Sequence, residues 1–128
     1  MNAGWQIMVT GGDHMRRMTH ITALQGFGCK AFEAASFDEA LERILSGEVP
    51  HILLIDLRLS ATAARGLIEL LRRDYELRDV MIVAVDAVPD DYQRLETLPD
   101  GWLNAILPRP THLEALFDLV NALVYRNA

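Results

Sequence analysis

The sequence predicts one α/β domain: a single doubly wound five-stranded parallel sheet with strand order 2-1-3-4-5. Two apolar runs carry most of this reading. His51-Ile52-Leu53-Leu54-Ile55-Asp56 and Val80-Met81-Ile82-Val83-Ala84-Val85-Asp86 lack polar alternation, and each stops on a carboxylate. Runs of that kind form strands buried on both faces. The second observation is order: strand-like runs alternate with helical patterns five times, with no repeat and no long linker. That alternation implies right-handed crossovers and helices on both faces of the sheet. The third is size and balance: 128 residues, 51% hydrophobic and 23% charged, suit one domain with a real core.

Ile7-Met8-Val9 reads as the first strand, broken by Thr10-Gly11-Gly12-Asp13. A first helix follows, with Met15, Met18, Ile21 and Leu24 read as its core stripe and Gly26 and Gly28 closing it. Lys30 to Ala35 is the second strand. Ser36 and Glu39 have capping-box spacing and open a second helix with Ala40, Leu41, Ile44 and Leu45 on one face. The third strand ends at Asp56. Leu57 to Ser60 and a small-residue loop, Ala61-Thr62-Ala63, lead to a helix carrying Ala64, Leu67, Ile68, Leu71 and Tyr75. After the fourth strand, Pro89 opens a short helix with Val88, Tyr92 and Leu95 on its thin apolar face. Asn104 to Leu107 is the fifth strand, ended by Pro108-Arg109-Pro110. Thr111-His112-Leu113-Glu114 forms a second capping box, before a stripe of Leu113, Leu116, Phe117, Val120, Leu123 and Val124.

Composition excludes several functions. The formal charge is -6, without a basic stripe, so nucleic-acid binding by this domain is disfavoured. Arg16-Arg17 and Arg72-Arg73 read as solvated helix faces. The single cysteine, Cys29, reads as a small buried hydrophobe, and a reducing, cytoplasmic setting fits. No apolar run approaches the roughly 18 residues of a membrane span, and the N-terminus lacks a signal-peptide pattern. The four histidines show no metal-ligand spacing. No glycine-rich phosphate loop with its Lys appears, and no Ser/His/Asp or Cys/His set.

The order 2-1-3-4-5 sets the ends of strands one and three side by side at the switch point, where ligands bind in such sheets. The Thr10–Asp13 loop should therefore face Asp56. Asp13, Asp56 and Asp86 are candidates for one acidic cluster there, and Arg109 should point to the same edge. A carboxylate so placed can be a phosphoryl acceptor if a divalent cation offsets the charge.

With Ile-Leu-Leu-Ile-Asp ending at Asp56, Asp86-Ala87 after strand four and Arg109-Pro110 after strand five, the chain resembles the receiver domains of bacterial two-component response regulators. The resemblance spans about residues 6 to 125 and implies a flavodoxin-like (βα)5 fold. It implies a signalling module rather than an enzyme, working in a phosphorelay with a histidine kinase or another signalling protein. Asp56 matches the phosphoacceptor. The magnesium-binding acid pair falls on Thr10 and Gly11, neither a carboxylate, which leaves Asp13 and Asp56 as the metal ligands of a weak Mg2+ site. The phosphoryl-sensing Thr or Ser is replaced by Asp86, and the Lys after strand five by Arg109, whose bond to Pro110 the resemblance implies to be cis. Leu59-Ser60 stands where the family has Met-Pro, Gly66 comes about two residues late, and Ile106 takes the aromatic switch position.

An Arg can bridge two carboxylates with its fork. Arg109 is thus expected to tie Asp56 to Asp86 and stand in for metal and phosphoryl group, so that signalling is weak or independent of phosphorylation. The face of helix four, strand five and helix five, with Tyr92, Leu95, Trp102 and Ile106, is expected to bind a partner or a second copy. The alternative is a small ligand- or nucleotide-binding domain of the same architecture.

Overall fold

The computed structural model describes residues 4–126. The elements, in chain order, are β1 (Gln6–Gly11), α1 (His14–Gly26), β2 (Lys30–Glu33), α2 (Phe37–Leu45), β3 (Ile52–Asp56), α3 (Ala61–Arg72), a 3-10 turn (Tyr75–Leu77), β4 (Met81–Ala87), α4 (Pro89–Leu95), β5 (Ala105–Pro108) and α5 (Leu113–Arg126). All strand pairs are parallel, in the order β2-β1-β3-β4-β5. This is the predicted fold, with β5 displaced one residue toward the C-terminus.

The central strand explains the layering. Ile52 and Leu54 pack with Ile21 and Leu24 of α1 and Leu116, Val120 and Leu123 of α5. Leu53 and Ile55 pack on the other face with Ile44 of α2, Ile68 and Leu71 of α3 and Leu95 of α4. Side chains alternate along a strand, so Asp56 follows Ile52 and Leu54 toward the α1 face. Register sets Gly11 opposite Asp56 across β1 and β3.

Several expected faces shift. Met15 is 74% exposed and Met18 is also exposed, whereas Arg17, His20, Ile21 and Leu24 are buried. A helix turns about 100° per residue, so a strict three-residue spacing drifts around it, and Met15 and Leu24 lie on opposite sides. Leu113 and Tyr75 are exposed for related reasons: Leu113 begins α5, and Tyr75 has left α3 for the 3-10 turn. Ala61-Thr62-Ala63 is the first turn of α3, because the Ser60 hydroxyl accepts from the Ala63 N–H. The Ser36–Glu39 cap forms as expected.

Arg72 is no solvated residue. Its guanidinium donates to the Trp102 carbonyl at 3.0 Å, the Leu77 carbonyl at 3.0 Å and Asn104 Oδ1 at 3.2 Å. Burial pulls its pKa below the usual arginine value. Cys29 is buried, and burial pushes its thiol pKa up. No helix among the described residues is long and apolar enough to cross a membrane.

Candidate functional site

Two carboxylates sit buried at the carboxyl edge of the sheet. Asp56 ends β3 and is fully buried; Asp86, near the end of β4, is 3% exposed. Asp56 Oδ1 accepts from the Arg58 N–H at 2.9 Å. Asp86 has a left-handed backbone, φ 60°, inside an irregular stretch between Ala84 and Ala87. There the strand alternation breaks, and its carboxylate joins that of Asp56.

The cation that joins them comes from α1. Arg16 Nε donates to Asp56 Oδ2 at 2.8 Å, and its Nη2 donates to Asp86 Oδ2. Arg58 Nε stands farther off, 3.8 Å from Asp86 Oδ2. This corrects the expectation for Arg109. Its Nε donates to the backbone carbonyl of Asp86 at 3.0 Å and makes no carboxylate pair among the described residues. The reason is positional: Arg109 leaves the edge strand β5 two strands from Asp56, while α1 starts just after β1, whose last residue, Gly11, pairs with Asp56. Arg109-Pro110 is cis.

The loop before α1 is shaped to bring Arg16 in. Asp13 is exposed and caps the helix, accepting from the Arg16 N–H at 2.8 Å. Gly11 and Gly12 have φ of +85° and +64°. A Cβ on Gly11 would collide with the Asp56 carbonyl oxygen, and one on Gly12 would lie 3.0 Å from Asp56 Oδ2. Glycine alone tolerates that conformation together with so close an approach. Buried Arg17 donates to the Gly12 carbonyl at 2.9 Å and to Glu33 Oε2 at 2.7 Å. The Arg17 bond to Glu33, with one from His14, holds the Glu33 carboxyl below its usual pKa.

His20, one turn beyond Arg16 on the same helix face, completes the group. It is 5% exposed, and its Nδ1 has no hydrogen-bond partner among the described residues. One ligand atom each from His20, Asp56 and Asp86 lie within 4.8 Å of one another. Burial lowers the His20 pKa; Asp56 pulls it up, Arg16 pushes it down and Asp86 pulls it up. Thr10 is buried as well, with its hydroxyl unpartnered.

The sequence reading thus located Asp56 and Asp86 but missed Arg16, Arg17 and His20. Two signals were available. Positions 17, 20, 21 and 24 form a tighter helical stripe than the methionines, and Arg16 and His20 share a face at i,i+4.

No family model matches the sequence, and no curated protein matches it. Solved structures do. A sensor protein from Polaromonas sp. JS666 superposes with a TM-score of 0.82 at 20% identity, over 98% of this chain and 99% of that one. The receiver domain of Francisella response regulator 1452 gives 0.78 at 18%, over 98% and 100%. The chemotaxis response regulator CheY4 of Vibrio cholerae gives 0.77 at 15%, over 93% and 98%. The chain has the fold of response-regulator receiver domains.

That fold implies a magnesium ion beside the strand-three acid, and the donors here do not fit one. Magnesium takes oxygen ligands, with carboxylates in the first rank. Gly11 has no side chain, Thr10 offers a hydroxyl, Asp13 is committed to its helix cap, and the third donor beside Asp56 and Asp86 is the imidazole of His20.

Proposed function

We propose that the chain is a receiver domain of a two-component signalling system that acts through protein contacts without phosphoryl transfer to Asp56. One observation carries this reading: the Arg16 guanidinium bridges Asp56 and Asp86, where phosphoryl chemistry would need a metal and a free nucleophile. Asp56 accepts from the Arg58 N–H at Oδ1 and from Arg16 at Oδ2, and a hydrogen bond on each oxygen weakens it as a nucleophile. Asp86 adds a second buried anion that repels an incoming phosphoryl group. The guanidinium then holds the domain in one state by itself. Arg109 serves the same end indirectly, by fixing the Asp86 backbone.

Partners are a histidine kinase or another signalling protein, or a second copy of the chain. The contact face comprises α4, β5 and α5, where Tyr92, Leu95, Leu103 and Ile106 line an open cleft. Sedimentation at high concentration tests self-association, and a monomer throughout removes the homodimer. The site reading is tested by incubating the protein with a small acyl phosphate and magnesium and taking the intact mass. The expected result is an unmodified chain. Stoichiometric phosphorylation at Asp56 overturns it.

A further inference from the structure

We infer that His20, Asp56 and Asp86 form a binding site for a divalent transition metal of borderline softness, such as zinc or cobalt(II), and that Arg16 is its internal competitor.

The argument starts from charge. Two carboxylates lie buried together, and one guanidinium in direct contact offsets only half of their charge. Arg58, 3.8 Å away and more than a third exposed, is a weak second partner. Leaving buried charge uncompensated is costly. A dication in place of Arg16 balances the pair fully.

The donor set then selects the metal. An imidazole nitrogen with two carboxylates suits zinc, cobalt or nickel, whereas magnesium and calcium prefer oxygen alone. His20 is 95% withdrawn from solvent, yet its Nδ1 is without a partner. Buried polar atoms are nearly always paired, so an imidazole that keeps a buried nitrogen unpartnered and has a ring nitrogen within reach of two carboxylates marks a site short of a ligand. The three ligand atoms need only contract from within 4.8 Å to meet at one ion.

Exchange has a route. Arg16 sits in the first turn of α1 with its side chain 30% exposed, against a cleft lined by Gly12, Asp13, Arg58, Leu59 and Arg109. The guanidinium can leave outward as the metal enters, without opening the hydrophobic core. Three protein ligands leave positions for water or a partner's side chain. The inference goes beyond the phosphorylation-independent reading and does not depend on it.

The test is a titration of the whole chain with cobalt(II), followed by its visible d–d absorption, with zinc affinity measured by competition against a chromophoric chelator. One equivalent is expected to bind. Excess magnesium should leave it in place. Arg16→Ala should bind about tenfold tighter or more, and His20→Gln about tenfold weaker or worse, a free-energy change of about 1.4 kcal/mol or more in each case. His14→Gln, on an exposed histidine, should change nothing. Circular dichroism establishes that each variant is folded. If His20→Gln does not fold, Asp86→Asn takes its place with the same expectation. Undiminished binding in the folded ligand variant means adventitious surface histidines and overturns the site. So does the absence of binding by both the wild type and Arg16→Ala at millimolar metal, or equal affinity in the two.

Discussion

Asp86 and Thr111 hold each other by two hydrogen bonds. The Asp86 N–H donates to Thr111 Oγ1 at 2.9 Å, and the Thr111 N–H donates to Asp86 Oδ1 at 3.1 Å. The same hydroxyl donates to the Pro108 carbonyl at 2.8 Å. Thr111 was expected to cap α5. Instead it fastens the loop after β5 to a residue in left-handed conformation at the end of β4. Thr111→Val leaves the Asp86 N–H and the Pro108 carbonyl short of partners, while the bond from the Thr111 N–H to Asp86 Oδ1 survives. Such losses cost about 1–3 kcal/mol. Urea unfolding should show a drop in that range for Thr111→Val and almost none for Thr111→Ser, which keeps the hydroxyl. Equal losses in both would mean that the methyl group matters and the hydroxyl does not.

Arg16 should matter far more than its partly exposed position suggests. Removing one partner of a buried ion pair costs about 3–5 kcal/mol, because the other charge is left stranded. Arg16→Ala should approach that figure by chemical denaturation. Adding Asp86→Asn to it should restore part of the loss, since one stranded anion is then gone. A change below about 0.5 kcal/mol, as for a surface pair, would contradict the bridging geometry.

Acid should act on the base of the α1 loop through Glu33. Its folded pKa lies below the ordinary 4.5, chiefly because Arg17 and His14 donate to the carboxylate. A depressed carboxyl pKa contributes stability above the unfolded value. That stability is lost as pH falls from about 4.5 down through the folded value. Glu33→Gln should flatten the unfolding midpoint's pH dependence in that window and leave its slope near neutrality unchanged. Parallel acid limbs for variant and wild type would show that Glu33 gains nothing from Arg17.

At the opposite end of the sheet, Arg72 ties α3 to the segment entering β5. Lysine cannot reproduce its fork, with three acceptors in three directions. Arg72→Lys and Arg72→Met should both lower stability by about 1–3 kcal/mol, by leaving the partly buried Leu77 and Trp102 carbonyls short of donors. Full retention of stability in Arg72→Lys would show that charge alone suffices.

The sheet was legible because its strands announce themselves. Ile52–Ile55 and Met81–Val85 are apolar without interruption, which only a strand covered on both faces can use. Asp56 was legible for the same reason, as the acid on which such a run stops. The cation was not. A basic residue in a helical stretch ordinarily faces water, and the inward turn of Arg16 and the burial of Arg17 depend on carboxylates 40 and 16 residues away. His20 was hidden in the same manner, by a methionine spacing that imitates a core stripe. Arg109 was given Arg16's role because chain order places it near the edge, and chain order is silent on which helix lies over which strand.

The approach of Gly11 to Asp56 has a consequence for engineering this domain. A designer who wants a second carboxylate beside Asp56 would turn first to this position. Here any side chain meets the Asp56 backbone, with its N only 3.0 Å from a built Cβ, and the +85° torsion penalises every residue but glycine. A designer who writes aspartate at position 11 therefore damages the fold before gaining a ligand. Placing a carboxylate there requires re-routing the β1–α1 junction and displacing Arg16 together. The glycine acts as a gatekeeper: it lets the guanidinium settle on the acid and bars a second carboxylate from the same spot.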